Sequence, residues 1–214
     1  MSTMHDWNAH YAAGELPWDS GESDPNLVEL VQSGAVTKGR VLEIGCGTGT
    51  NALWLASQGF EILALDLAPL AVERARAKAA AAPKAAAERC TFEVRDFLSG
   101  ELPQGSFQLV FDRGCFHVFD DTKDQQTFAA RVAKVLASGG HWLSLIGSTE
   151  GPAREMGPPR RSARDVVQAL EPAVELVQLR AMEFDGPPGA PPPKGWFCLS
   201  RRRDVPAQPS SRFS

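Results

Sequence analysis

Three glycines, Gly45, Gly47 and Gly49, separate the apolar run "RVLEI" from a helical pattern, and a second apolar run then closes on Asp66. That order restricts the chain more than any other feature. A strand that gives way to a helix through alternate glycines needs positive φ and a backbone that another group can approach without meeting a Cβ. The stretch "VLEIGCGTGTNALWLASQGFEILALD" (41 to 66) therefore reads as strand, tight turn, helix and strand, the start of a parallel sheet with crossover helices.

The remainder repeats the alternation. "RVLEIG" (40 to 45), "EILALD" (61 to 66), "TFEVRD" (91 to 96), "FQLVFD" (107 to 112) and "HWLSLIGS" (141 to 148) are expected strands. "NALWLASQG" (51 to 59) is expected as a helix that buries Leu53, Ala56 and Trp54. A second helix opens on Pro69 and is cut by Pro83. "DQQTFAARVAKVLASGG" (124 to 140) sets Phe128, Val132 and Leu136 on one helical face, with the glycines as its stop. Beyond a Gly/Pro-rich loop (147 to 161), Ser162 and Asp165 have the spacing of a capping box. "AVELVQLRAMEF" and "GWFCLSRR" are too close for a crossover helix, so they are expected to pair as an antiparallel hairpin. The expected fold is α/β, with a seven-stranded, mostly parallel sheet, an antiparallel last strand and helices on both faces. Residues 1–26 are expected as a separate N-terminal segment, 27–203 as the domain and 204–214 as a disordered tail.

Composition narrows the partners. Net charge is −4, and residues 201–214 hold four arginines against one aspartate, which leaves about −7 on the body. Such a surface disfavours nucleic acid. No apolar run approaches the roughly 20 residues of a membrane span, and residues 1–10 lack the charged start and apolar stretch of a secretory signal. A cytoplasmic protein without membrane partners is expected, as a monomer or weak homodimer. Cys46, Cys90, Cys115 and Cys198 have neither CxxC spacing nor the density of a disulfide framework, so free thiols and no metal site are expected.

The glycine turn also selects its ligand. A helix N-terminus beside it offers free N–H groups to a carboxylate or phosphate. A triphosphate loop needs Gly-Lys-Ser/Thr where this chain has Gly49-Thr50-Asn51. Thr50 also stands where the nicotinamide fingerprint has Gly or Ala, which weakens a dinucleotide. Asp66, at the end of the second strand, is placed to accept from both hydroxyls of a ribose, so an adenosine-like ligand is indicated.

With Glu43 before the glycines, Val41 to Gly49 resembles the (V/I)L(D/E)xGxGxG motif of class I S-adenosylmethionine-dependent methyltransferases. "RDF" (95 to 97) and "LASGGHWLSL" follow in the order of that family, so the resemblance covers about 27 to 200. It implies a Rossmann-like fold and S-adenosyl-L-methionine as cofactor. The cofactor candidates are Trp18, Glu43, Gly45, Cys46, Gly47, Gly49, Asp66, Leu67, Asp96, Phe97 and Asp112.

Methyl transfer is an in-line displacement at an already activated carbon, so alignment and exclusion of water are the main requirements. The loop after the fourth strand, "DRGCFHVFDD", should face the reacting methyl. His117 and Asp112 are its catalytic candidates; His117 either takes the acceptor's proton as a base or, together with Phe116, packs the helix beneath the loop. Tyr11, Arg113 and Phe116 are candidates for substrate contact, and Arg154, Arg160 and Arg161 read as a solvated cluster. Trp7, Tyr11, Gly14 and "PWDSG" (17 to 21), followed by Pro25, resemble the opening of the thiopurine and thiol/halide methyltransferases. In that group the segment folds over the cofactor, and an aromatic face such as Trp18 attracts a sulfonium by cation–π interaction. The expected activity is methylation of a small molecule at a thiol or other soft nucleophile. N- or O-methylation of a small metabolite is the alternative; a protein methyltransferase, a nicotinamide oxidoreductase or an inactive binding module is less favoured.

Overall fold

A computed structural model describes residues 6–14, 16–151, 159–185 and 191–204. Seven strands form one sheet: β1 (Arg40–Ile44), β2 (Glu61–Asp66), β3 (Cys90–Val94), β4 (Phe107–Arg113), β5 (Leu136–Gly147), β6 (Val174–Glu183) and β7 (Lys194–Arg202). Their spatial order is β3-β2-β1-β4-β5-β7-β6. β7 runs antiparallel to both neighbours, and the other pairings are parallel. The strand order reverses between β1 and β4, which opens a crevice above their carboxyl ends. Register aligns that level, because Ile44 stands opposite both Leu65 and Asp112.

The helices are α1 (Trp7–Ala13), α2 (Pro25–Gln32), α3 (Thr50–Ser57), α4 (Pro69–Ala81), α5 (Lys84–Ala87), α6 (Thr122–Val135) and α7 (Ala163–Leu170). Helices α2 to α5 bury Leu27, Leu55, Ala56, Val72 and Ala86 against Val41, Ile62, Phe111 and Leu143 on one sheet face. Helices α6 and α7 bury Phe128, Val132, Val166 and Leu170 against Leu42, Val110, Trp142 and Ile146 on the other. Alternate residues of β1 thus serve opposite cores, as the pleat requires. The capping box of Ser162 and Asp165 starts α7 as expected.

Three expectations change. Helix α6 ends at Val135 rather than at the glycines, because Leu136 turns extended (φ −65, ψ 137) and pairs with Phe107. Gly139 and Gly140 instead accommodate a register shift inside β5, where a Cβ on Gly140 would lie 2.7 Å from the Phe107 carbonyl. In α3 the fully buried stripe is Ala52, Leu55 and Ala56, while Leu53 and Trp54 are half-buried. The glycine turn sets the phase of that helix, and its i, i+3, i+4 face begins at Ala52. Helix α5, a single turn after Pro83, had no periodic signal. Residues 205–214 of the expected tail lie outside the described residues.

Gly49 caps α3 at φ +79, and a Cβ there would sit 2.8 Å from Cε1 of Phe92 and 3.0 Å from Cβ of Ala75. Both contacts lie in the close-packed core, which yields little. Gly49→Ala is expected to cost about 1–3 kcal/mol from overpacking, with left-handed strain in addition. Urea denaturation measures this; an unchanged midpoint would show that α3 can shift freely.

Candidate functional site

All three turn glycines adopt positive φ, at 73°, 55° and 79° for Gly45, Gly47 and Gly49. Each has a neighbour that leaves little space for a side chain: Cβ of Cys115 would lie 3.2 Å from a Cβ on Gly45, and the Tyr11 hydroxyl 3.1 Å from one on Gly47. The N–H groups of Gly45 and Cys46 donate to the Leu65 carbonyl at 2.8 and 2.9 Å, which fastens the turn to β2. Asp66 completes the fastening. Its Oδ2 accepts from Gly47 N–H at 2.8 Å and its Oδ1 from Ala68 N–H at 2.9 Å. Burial raises the pKa of this carboxyl, and the N–H groups pull it back. Each oxygen keeps acceptor capacity for a second donor.

Glu43 is 2% exposed, and its Oε2 has no hydrogen-bond partner among the described residues. Burial pushes its pKa up to about 8, opposed by the Asn51 side chain and the N–H of Ala52, while the Asp66 charge adds to the rise. A buried acid without a donor for one oxygen is costly unless a cation or proton comes to it. The thiol of Cys46 is buried and lifted well above its usual range, first by desolvation and then by Glu43, so only its backbone suits a ligand.

The loop after β4 departs from several expectations. Asp112 is fully buried; Oδ1 accepts from the N–H groups of Phe116 (2.9 Å) and Cys115 (3.2 Å), and Oδ2 from the Trp142 indole (2.9 Å). Burial lifts its pKa to about 6 against those donors. It shapes the loop from beneath, out of reach of a cofactor or acceptor. Phe116 is likewise no substrate contact, because it is fully buried against Phe128 and Trp142, 6.0 and 5.8 Å between ring centroids. His117 is 4% exposed, and its Nδ1 accepts from Gly147 N–H at 2.7 Å. The neutral ring therefore carries its proton on Nε2, so a base role would require the other tautomer. Cys115 meets Gly45 and is also raised by burial.

Arg113 points to the N-terminal segment. Its Nε donates to Asp24 Oδ2 at 2.8 Å, Nη1 to the Trp18 carbonyl at 3.1 Å, and Nη2 lies 3.8 Å from Asp185. On the other side of the crevice, Thr48 donates its hydroxyl proton to Asp19 Oδ2 and accepts from Lys78 Nζ, both at 2.7 Å. Residues 18 to 24 are thus tied to β4 and to the glycine turn, and they roof the crevice. Beside them α1 sits on α4: Asn8 accepts from Leu70 N–H at 3.0 Å, and buried Tyr11 packs with Ala68 and Ala71. Trp18 makes edge contacts with Trp7, His10 and Tyr11 at centroid distances of 5.8, 5.7 and 6.3 Å. The Tyr11 phenol is raised by burial and by Asp66, which keeps it neutral.

At the β2 and β3 ends, Leu67 is 41% exposed, as a group that covers a ligand would be. Asp96 closes its own turn, accepting from the N–H groups of Leu98 and Ser99 and from the Ser99 hydroxyl. Phe97 is buried against Phe128, 5.1 Å between centroids, so its ring belongs to the core and only its backbone can serve the crevice. Arg160 and Arg161 are not a solvated cluster. Arg160 donates to the Ser148 carbonyl at 3.0 Å, and Arg161 to the carbonyls of His117 and Phe119 at 2.7 and 2.8 Å. Arg154 lies outside the described residues. Two surface recesses of about 460 and 440 Å³ lie elsewhere, one against α3 and α5 and one at the amino ends of β1 to β3. No group of three or more potential metal ligands occurs among the described residues, and none of their helices is long and apolar enough to cross a membrane.

Residues 2–187 match the family model described as thiopurine S-methyltransferase. A probable thiol methyltransferase 2 of Arabidopsis thaliana is 34% identical over 153 residues, which is 72% of this chain and 65% of the relative. A 2-heptyl-1-hydroxyquinolin-4(1H)-one methyltransferase of Mycobacteroides abscessus is 29% identical over 63% of this chain and 57% of its own length. The chain thus spans less than two thirds of each of these two relatives. A solved structure concerned with the conversion of a disulfide bond into a thioacetal group during echinomycin biosynthesis superposes with TM-score 0.73 at 27% identity, covering 87% of this chain and 85% of that one. Solved S-adenosylmethionine-dependent methyltransferases of lower identity share the fold.

Glu43 makes the site sensitive to pH before any ligand binds. Its folded pKa, about 8, lies above its unfolded value, so its favourable protonation is complete below pH ~4.5 and is lost as pH rises to about 8. Glu43→Gln should therefore match wild-type stability at pH 4.5 and exceed it by a few kcal/mol at pH 8 in urea denaturation without ligand. Parallel profiles would show that Glu43 is solvated.

Proposed function

The chain belongs to the thiopurine S-methyltransferase family, and from that premise we propose that it methylates a small molecule at a thiol or comparably soft nucleophile, with S-adenosyl-L-methionine as donor. The observation that carries the cofactor is the orphaned Oε2 of buried Glu43 beside three positive-φ glycines and Asp66. These residues fit the group chemically: an amino group answers Glu43, ribose hydroxyls answer Asp66, and the bare glycines admit close approach. The bound cofactor supplies a methyl on a sulfonium, already electrophilic.

The chain's own residues orient and enclose. Asp66 accepts through the capacity left beside its Gly47 and Ala68 bonds, while Leu67 covers the ribose side. Trp18, with Trp7 and Tyr11 around it, presents aromatic surface to the sulfonium; such an attraction is worth on the order of 0.5–2 kcal/mol. Asp19 and Arg113 hold this roof down on both sides and keep water out. Residues 1–26, of which 1–5 and 15 lie outside the described residues, then act as the lid. Asp112 and His117 fix the shape of the loop that faces the acceptor. A thiol suits a loop that offers alignment more than a base, because a few per cent is already thiolate at neutral pH. The thiol methyltransferase relative supports sulfur. The hydroxyquinolinone methyltransferase favours a second reading, O-methylation of a flat heteroaromatic, for which the aromatic roof would also suit.

Two measurements test this. Asp66→Ala should weaken S-adenosylhomocysteine binding by about 1–3 kcal/mol in calorimetry, since the ribose hydroxyls lose a charged acceptor. Labelled methyl transfer to a panel of thiols, selenols, halides, phenols and amines should favour thiols. Turnover of phenols or amines with every thiol inert would replace the sulfur reading.

A further inference from the structure

A continuous set of polar contacts runs from the roof to the floor of the crevice. Arg113 grips the Trp18 carbonyl and Oδ2 of Asp24, which is 5% exposed and caps α2. The other oxygen of Asp24 accepts from the N–H and side-chain amide of Asn26 at 2.9 and 3.0 Å. The N–H of Asp24 donates to Asn51 Oδ1 at 2.9 Å. This bond fixes which way the Asn51 amide faces: with its oxygen on Asp24, its NH2 is turned to the other side. There it meets Glu43 and opposes the effect of burial on that acid.

Among the described residues, no cation compensates Glu43. Asp66 on β2, Cys46 in the glycine turn and Cys90 on β3 interact with it, and each would repel it when charged. Among the described residues, the Asn51 amide and the Ala52 N–H of α3 are what favours its carboxylate. Asn51 therefore divides its two ends between the floor acid and the residue that anchors the roof.

We propose that Asn51 is a positioning residue that joins cofactor capture to roof closure, its NH2 facing Glu43 and its carbonyl oxygen holding Asp24, which Arg113 links to Trp18. The proposal rests on the reading that Glu43 receives the cofactor's amino group. When an ammonium binds, Glu43 releases its proton to solvent and is held ionised beside it, and its bond from Asn51 becomes charge-assisted, roughly twice as strong as a neutral one. The amide is then held in the orientation that Asp24 needs. The coupling is reciprocal, so a roof held down favours the ligand by the same factor.

The test uses S-adenosylhomocysteine, which keeps the amino group, with calorimetry from pH 6 to 9 and hydrogen exchange of residues 16–24. In Asn51→Ala, affinity at pH 7 should fall about tenfold, the deficit should narrow toward pH 9 as Glu43 ionises without help, and ligand-induced protection of 16–24 should be lost. Asn51→Asp, nearly isosteric, keeps an acceptor for Asp24 but sets a carboxylate against Glu43; it should bind more weakly still at pH 7. The same loss at every pH with roof protection intact would mean that Asn51 is merely structural and would overturn the proposal. So would wild-type binding by Asn51→Asp. Glu43→Gln separates the two levels: wild-type affinity in that variant refutes the reading of Glu43 itself, whereas weakened binding there beside unaltered Asn51 variants refutes the coupling alone.

Discussion

The chain must leave β1 through left-handed backbone and start α3 directly above the strand ends, and the rest of this end of the molecule depends on that turn. Gly45 and Cys46 are held to Leu65, Gly47 to Asp66, and Gly49 is wedged against Phe92 and Ala75. A side chain at any of the three would meet both a backbone penalty and a neighbour. With the turn fixed, Asn51 and the Ala52 N–H stand over Glu43, and Thr48 faces the segment that crosses the crevice. The turn thus assembles floor and roof together, from residues distant in sequence.

The roof is held by polar contacts more than by packing. Asp24 and Arg113 form a pair with side chains 3% and 16% exposed, where desolvation cancels much of the attraction. Such a pair adds little net stability, yet removing one partner strands the other. What it secures is orientation, because Asp24 holds Nε of the same guanidinium whose Nη1 donates to the Trp18 carbonyl. On the proposed reading such a segment opens without melting the core, since its aromatic cluster packs on itself and on α4.

Features that rest on local backbone chemistry were legible in the sequence. The glycine turn, the Pro69 helix start, the Ser162 capping box and the final hairpin each follow from one or two residues whose conformations are restricted. The end of α6 was not legible, because Leu136 satisfies the helical stripe and the buried strand equally, and pairing with Phe107 decides between them. Site side chains divided the same way. The motif fixes the strand and position of Glu43 and Asp66, which the structure buries side by side under the glycine turn, whereas Asp112 and Phe116 were given roles by their place in the loop after the fourth strand and Phe97 by the "RDF" match, and all three side chains lie in the core. Asn51, Asp24, Thr48 and Lys78 carried no signal, since their partners lie 27 to 89 residues away.

Charge gives the crevice its remaining logic. Glu43 and Asp66 are buried at its floor with pKa values raised by desolvation, while three cations at this end of the molecule are engaged elsewhere: Arg113 on Asp24 and the Trp18 carbonyl, Lys78 on Thr48 and Thr50, and Arg74 on the Tyr11 carbonyl. An acid-rich floor of this kind favours a ligand that brings its own positive charge. On the proposed reading the donor carries two, an ammonium and a sulfonium, and transfer of the methyl removes the second. Stabilisation that depends on the sulfonium, from the aromatic roof and the acids together, therefore falls when the reaction is complete. The contacts to the ammonium and ribose are unaltered by the chemistry. Reactant and product would then differ in affinity chiefly through the roof, so the segment that excludes water before transfer is also the one that loosens after it.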